Sequence, residues 1–121
     1  MWMVNPRVLC TKHLGGEHVE THMFLGCVRR RKKLSGFLQK GLIEPLELKR
    51  RHDALAEELL RRKRLKSRGE VLQHNSPLVL TSEEGKYLEE LDRQDRKKVS
   101  EMDSLFELIR RCPNCRRNIC F

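Results

Sequence analysis

"HLGGEHVETHMFLGCVRR", residues His13 to Arg30, places three histidines, two glutamates and an apolar set within eighteen residues. Leu14, Val19, Met23, Phe24 and Cys27 recur at helical spacing, which predicts a main helix over about 16–31 with this stripe turned to a core. Gly15-Gly16 predicts an interruption at its start. Upstream, Asn5-Pro6 marks a separate first turn or two over 6–13, because proline at a first helical position lacks only an N–H that would go unpaired anyway. Downstream, "SGFLQKGLIEP" (35–45) carries two glycines and reads as a connection, with Pro45 opening the next helix. Leu48, Leu55, Ala56, Leu59 and Leu60 then predict a second long helix of roughly 46–66.

"SRGEVLQHNSPLVL" (67–80) reads as an irregular excursion. Helix resumes at Thr81, where Glu84 three residues later fits a capping box. Tyr87, Leu88 and Leu91, followed by Val99, Met102, Leu105, Phe106 and Ile109, predict one broken helix or two. No segment alternates as a strand does. The expected fold is therefore all-α, a single compact domain of three to five helices spanning 1–111, followed by a basic, cysteine-rich tail at 112–121.

With 121 residues the chain can bury one modest core. Lys and Arg total 26 against 17 Asp and Glu, a net charge of +9, and the basic residues fall in runs at 29–33, 49–51, 61–68, 96–98 and 110–111. Such a field favours phosphate backbones and salt-dependent binding, where a single run would be equally consistent with a solvated surface. No apolar stretch is long enough to span a membrane, and "MWMVNPRVLCTKH" lacks the pattern of a signal peptide, so the chain is expected to stay in the cytoplasm. Five cysteines without an export signal point to reduced thiols or metal ligands rather than disulfides.

The opening stretch admits three uses. His18 and His22 stand four apart on one helical face, as in metal-binding pairs, which raises a metallohydrolase. Glu20, two residues after His18, lies roughly 200° around the helix from it and is badly placed to poise a metal-bound water. His13 and Glu17 form another such pair. An exposed helix face with weak side-chain pairs is the plain alternative. In the third, Glu20 is a carboxylate at the edge of an apolar stripe, where its proton affinity can be tuned. In the tail, Cys112 and Cys115 have the spacing of a structural zinc knuckle. Cys120 adds a third thiol, and Cys10, Cys27, His74 or a histidine of the opening stretch could supply a fourth ligand. A basic helical nucleic-acid-binding module with such a zinc and no catalysis is the alternative to an enzyme. His52 beside Asp53 reads as a helix-surface pair.

"HLGGEHVE", with Asn5 before it and "HMFLGCVRR" after it, resembles the first catalytic helix of the pyrimidine-dimer DNA glycosylase/AP lyase family, the endonuclease V type of UV-repair enzyme known from bacteriophage. "KRRHDALAEELLRR" is similar to that family's next long helix, so the likeness covers roughly 1–65, and "HNSPL" at 74–78 adds a weaker match. The resemblance implies a DNA repair enzyme whose nucleophile is the α-amino group of the first residue and whose acid is Glu20, with His13 and Glu17 in support. Trp2 should block removal of the initiator, leaving Met1 to supply the amine. An α-amine ionises near 7.7–8.0, so part of it is unprotonated at neutral pH. The implied partner is damaged double-stranded DNA, held by Arg29, Arg30, Arg31, Lys32, Lys33 and Arg51. The implied protein is a cytoplasmic monomer of bacterial or phage origin that needs no cofactor. Val19 and Met23 stand where the family carries arginines beside its glutamate.

Overall fold

A computed structural model describes residues 1–66 and 77–119, and its described residues are all-α. A 3-10 turn at Pro6–Val8 is followed by α1 (Thr11–Arg29), α2 (Ser35–Gln39), a second 3-10 turn at Pro45–Glu47, α3 (Leu48–Lys66), α4 (Ser82–Arg93), α5 (Glu101–Arg111) and α6 (Pro113–Ile119). Of the excursion expected at 67–80, residues 67–76, with His74, lie outside the described residues, as does Cys120.

Local chemistry accounts for most element ends. Asn5 accepts a hydrogen bond from the Arg7 N–H at 3.0 Å and starts the first turn, with Pro6 next, as its sequence predicts. Thr81 caps α4 through the Glu84 N–H at 3.2 Å, while the Glu84 carboxylate reaches Arg29 instead of closing the box. The last helical pattern divides in two because Ser100 caps a new helix through the Asp103 N–H at 3.2 Å.

Three expectations need correction. Gly15-Gly16 does not interrupt α1, which runs through both glycines; a Cβ at either would meet nothing within 4 Å, so packing of α1 on α3 offsets the roughly 1 kcal/mol that each glycine costs a helix. The connection at 35–45 contains the short helix α2. The apolar stripe of α1 lies elsewhere than expected: Val19 and Met23 are 66% and 43% exposed, and the buried face is Leu14, Glu17, Thr21, Phe24, Leu25 and Val28. Two polar residues in the middle of that face disguised it.

Those polar residues separate two apolar clusters. Phe24, Leu25 and Val28 join Leu34, Leu38, Ile43, Leu48, Leu78, Leu88, Leu91 and the Met1 side chain. Leu14 joins Val4, Leu9, Cys10, Leu55, Leu108, Cys112 and Cys115. Each fully buried leucine contributes about 1.5–3 kcal/mol. The chain's first residues run between the clusters, Met1 packed into one and Trp2 against the other.

Candidate active site

Met1 is the centre of a small construction. Its side chain is buried in the apolar cluster, and its sulfur accepts the Glu44 N–H at 3.4 Å. Anchored in this way, the α-ammonium donates to Glu20 Oε1 at 2.7 Å and to the Leu42 carbonyl at 2.8 Å. Glu20 comes from the middle of α1, Leu42 from the turn after α2. That turn depends on Gly41, whose φ of +68° lies in the left-handed region and whose absent Cβ would sit 3.3 Å from the Lys98 carbonyl. The Lys97 N–H in turn donates to the Leu38 carbonyl at 2.9 Å, closing the segment before α5 over the end of α2.

Met1 and Glu20 line a cleft of about 340 Å³ walled by Trp2, Met23, Phe24, Phe37 and the start of α5. Lys40, Lys97 and Lys98 also line it. Glu20 is 37% exposed while the Met1 side chain is closed off, so carboxylate and amine meet where an apolar wall opens to solvent. An amine held against a carboxylate in a basic-rimmed cleft can act as a nucleophile whose departing proton has an acceptor in place.

Behind this site lies a buried ion pair. Arg51 from α3 grips both oxygens of Glu17, with Nη2 to Oε1 at 2.8 Å, and its remaining arm donates to the Val4 carbonyl. Both side chains are almost wholly enclosed. The pair sits in the α1–α3 interface and fixes the backbone three residues after Met1. Arg51 was expected among the phosphate contacts, and its burial corrects that: with every arm of the guanidinium engaged inside the fold, it is not offered to a ligand.

The other expected residues divide. Arg29 to Lys33 are exposed at the end of α1. Arg29 donates to Glu84 and to the Val79 carbonyl, Arg30 to the Gly26 carbonyl, and Arg31 lies 4.2 Å over the Tyr87 ring. His13 does not join Glu20. Its Nδ1 stands 3.2 Å from Cys10 Sγ and 3.4 Å from Cys115 Sγ, and its ring meets Trp2 edge-on at 5.7 Å. His18 and His22 come together with His52, the ring centroids 4.7–5.0 Å apart, and His52 is buried rather than on the surface. His52 Nδ1 is 3.0 Å from Asp53 Oδ1. Burial alone pushes the Asp53 carboxyl up, but the hydrogen bonds from His52 and Lys49 leave it below its ordinary value. These three histidines are close enough to share an ion, but none of them lines the Met1 cleft.

Sequence reasoning missed Lys40, Leu42, Lys97 and Lys98 as neighbours of the site. The run at 96–98 was visible as charge, but the hydrogen bonds from Lys97 to the Leu38 carbonyl and from Arg96 and Val99 to Glu44, which bring it to the cleft, were not.

The sequence model of a family described as pyrimidine dimer DNA glycosylase matches residues 1–69, a span that carries Met1, Glu17, Glu20, Leu42 and Arg51. The chain belongs to the pyrimidine dimer DNA glycosylase family. No curated protein and no solved structure matches it. As a family member it is a DNA glycosylase whose substrate class is damaged DNA, and its family segment includes α1, α2 and α3. The segments carrying Lys97 and Lys98 on the cleft and Cys112 and Cys115 behind it fall beyond the matched span.

Proposed function

We propose that the chain removes a damaged pyrimidine from DNA through the Met1 α-amine and then cleaves the strand as an AP lyase. The observation that carries this is the 2.7 Å contact between the Met1 amine and Glu20 inside a cleft lined by lysines.

The unprotonated amine attacks C1′ of the damaged nucleotide, a C1′–N bond forms, and the bond from C1′ to the base breaks with its electron pair. Glu20 gives the departing base the proton it took from the Met1 ammonium when the free amine formed, and then takes the next proton from the nitrogen now bound to C1′, which it holds for O4′. Opening of the C1′–O4′ bond, with a proton delivered to O4′, leaves a cationic imine between Met1 and the sugar. Glu20, again a carboxylate, stabilises that charge and takes the C2′ proton, and the electrons of the C2′–H bond expel the 3′ phosphate. Water hydrolyses the imine and frees Met1. The Leu42 carbonyl orients the amine without itself reacting. Lys40, Lys97, Lys98 and the run from Arg29 to Lys33 hold the backbone, and the nucleotide must leave the stack for C1′ to reach Met1.

The test is strand cleavage on two duplexes, one with a cyclobutane pyrimidine dimer and one with an abasic site. Cleavage of both by the intact chain and of neither after N-terminal acetylation is the expected result. Full activity of the acetylated chain would sink the mechanism. Activity on the abasic duplex alone would keep the lyase and remove the dimer as substrate.

A further inference from the structure

Cys10 immediately precedes α1, His13 lies one turn along it, Cys112 ends α5 and Cys115 lies in the first turn of α6. Two sequence-distant pairs, C-x-x-H and C-x-x-C, thus converge, with three sulfurs and one imidazole nitrogen all within 4.8 Å of one another. The spacing is specific. A tetrahedral ion with sulfur at 2.3 Å and nitrogen near 2.05 Å places sulfurs about 3.8 Å apart and sulfur and nitrogen about 3.6 Å apart. Cys10 Sγ and Cys112 Sγ stand 3.8 Å apart, and His13 Nδ1 is 3.2 Å from Cys10 Sγ and 3.4 Å from Cys115 Sγ. The sulfur separation is far from the bonding distance of a disulfide, near 2.05 Å.

Backbone donors point at two of the sulfurs. The Cys10 N–H points at Cys115 Sγ at 3.2 Å, and the Cys115 N–H at Cys112 Sγ at 3.4 Å, the pattern by which backbone donors support metal-bound sulfur. All three cysteines are buried, Cys115 completely. Without a cation, three sulfurs would gain little from such crowding in an apolar cluster that Leu9, Leu14 and Leu108 already fill.

We propose that Cys10, His13, Cys112 and Cys115 bind one structural zinc ion that staples the start of α1 to the α5–α6 corner. Four protein ligands close the coordination sphere, so the ion has no open position for water or substrate. Its role is positional. α5, through Asp103, Ser104 and Glu107, and its cap Ser100 form one wall of the Met1 cleft, and the staple fixes that wall relative to the helix carrying Glu20. Cys27, in the other apolar region, is left out of the set, and Cys120 lies outside the described residues.

Metal content decides it. The full chain, purified without chelator, is expected to carry one zinc per protein by mass spectrometry of metals. A Cys27→Ser, Cys120→Ser double variant should keep it, and Cys115→Ser should lose it. Because Cys115→Ser could also fail to fold, the unsubstituted chain is loaded with cobalt(II) after zinc removal. Visible bands of tetrahedral cobalt with a strong thiolate charge-transfer absorption are expected, and they should weaken in His13→Ala. The site is overturned by a chain that binds neither zinc nor cobalt tetrahedrally, or by loss of the metal in the Cys27, Cys120 double variant.

Discussion

Glu17 and Glu20 are three residues apart on the same helix, yet they serve opposite ends. Glu17 faces inward and spends both oxygens on Arg51, while Glu20 faces a cleft and holds the Met1 amine. Glu20→Gln keeps the shape but removes the base and the negative charge. It is expected to slow strand cleavage by roughly 10²–10⁴-fold. Affinity for the damaged duplex, measured by fluorescence anisotropy, should be nearly unchanged. Glu17→Ala leaves Arg51 charged and enclosed and is expected to cost about 3–5 kcal/mol in urea unfolding. Replacing both partners by apolar residues should recover much of that loss. Local sequence set Glu20 apart only by an apolar stripe whose Val19 and Met23 are exposed in the fold; the distinction between the two glutamates comes from Arg51, which lies in a basic run that read as surface. Met1 and Glu20 were legible through family resemblance, whereas spacing alone offered a histidine pair just as readily. His13 was legible as a candidate in two roles, and its position among the cysteines shows which neighbours it has.

Among the elements, the two long helices were readable in position, though the buried face of α1 was not, and the caps were readable from Thr81 and Asn5. α2 and α6 were not, because five and seven residues are too few for periodicity to register and both contain residues that usually end helices. The turn between α2 and the second 3-10 turn matters most to the site, since it presents the Leu42 carbonyl. Gly41→Ala forces a Cβ into left-handed backbone, which costs about 1–2 kcal/mol. It should also displace Leu42, so a drop in cleavage larger than the thermal shift explains is expected from parallel melting and activity assays. In α3, Arg61 holds the Glu58 carboxyl below its ordinary value by hydrogen bonding, against the opposing effect of burial. A carboxyl lowered by folding stabilises fully above its unfolded value of about 4.5 and loses that contribution as pH falls through the folded value. The melting temperature should therefore decline on acidification below about pH 4.5, and less steeply in Glu58→Gln.

At the scale of the whole molecule, composition was a good guide to class and a poor guide to geometry. A charge of +9 pointed to nucleic acid, but many basic residues are engaged inside the protein: Arg51 on Glu17, Arg96 on Glu44 and Asp92, and Arg62 on the Leu9 carbonyl. The lysines beside the cleft remain. If Lys97 and Lys98 each neutralise one phosphate, substituting both by alanine should lower the slope of log Kd against log salt by about 1.8. Unchanged slope would place the duplex elsewhere on the surface. Those same lysines, with Lys40, are also the rivals to Met1 as nucleophile, since a lysine amine can form an imine too. The decisive measurement is therefore peptide mapping of the complex trapped by borohydride on an abasic duplex. Attachment of the sugar to the first tryptic peptide, Met1 to Arg7, is the expected result, and attachment to a peptide bearing Lys40, Lys97 or Lys98 would contradict it.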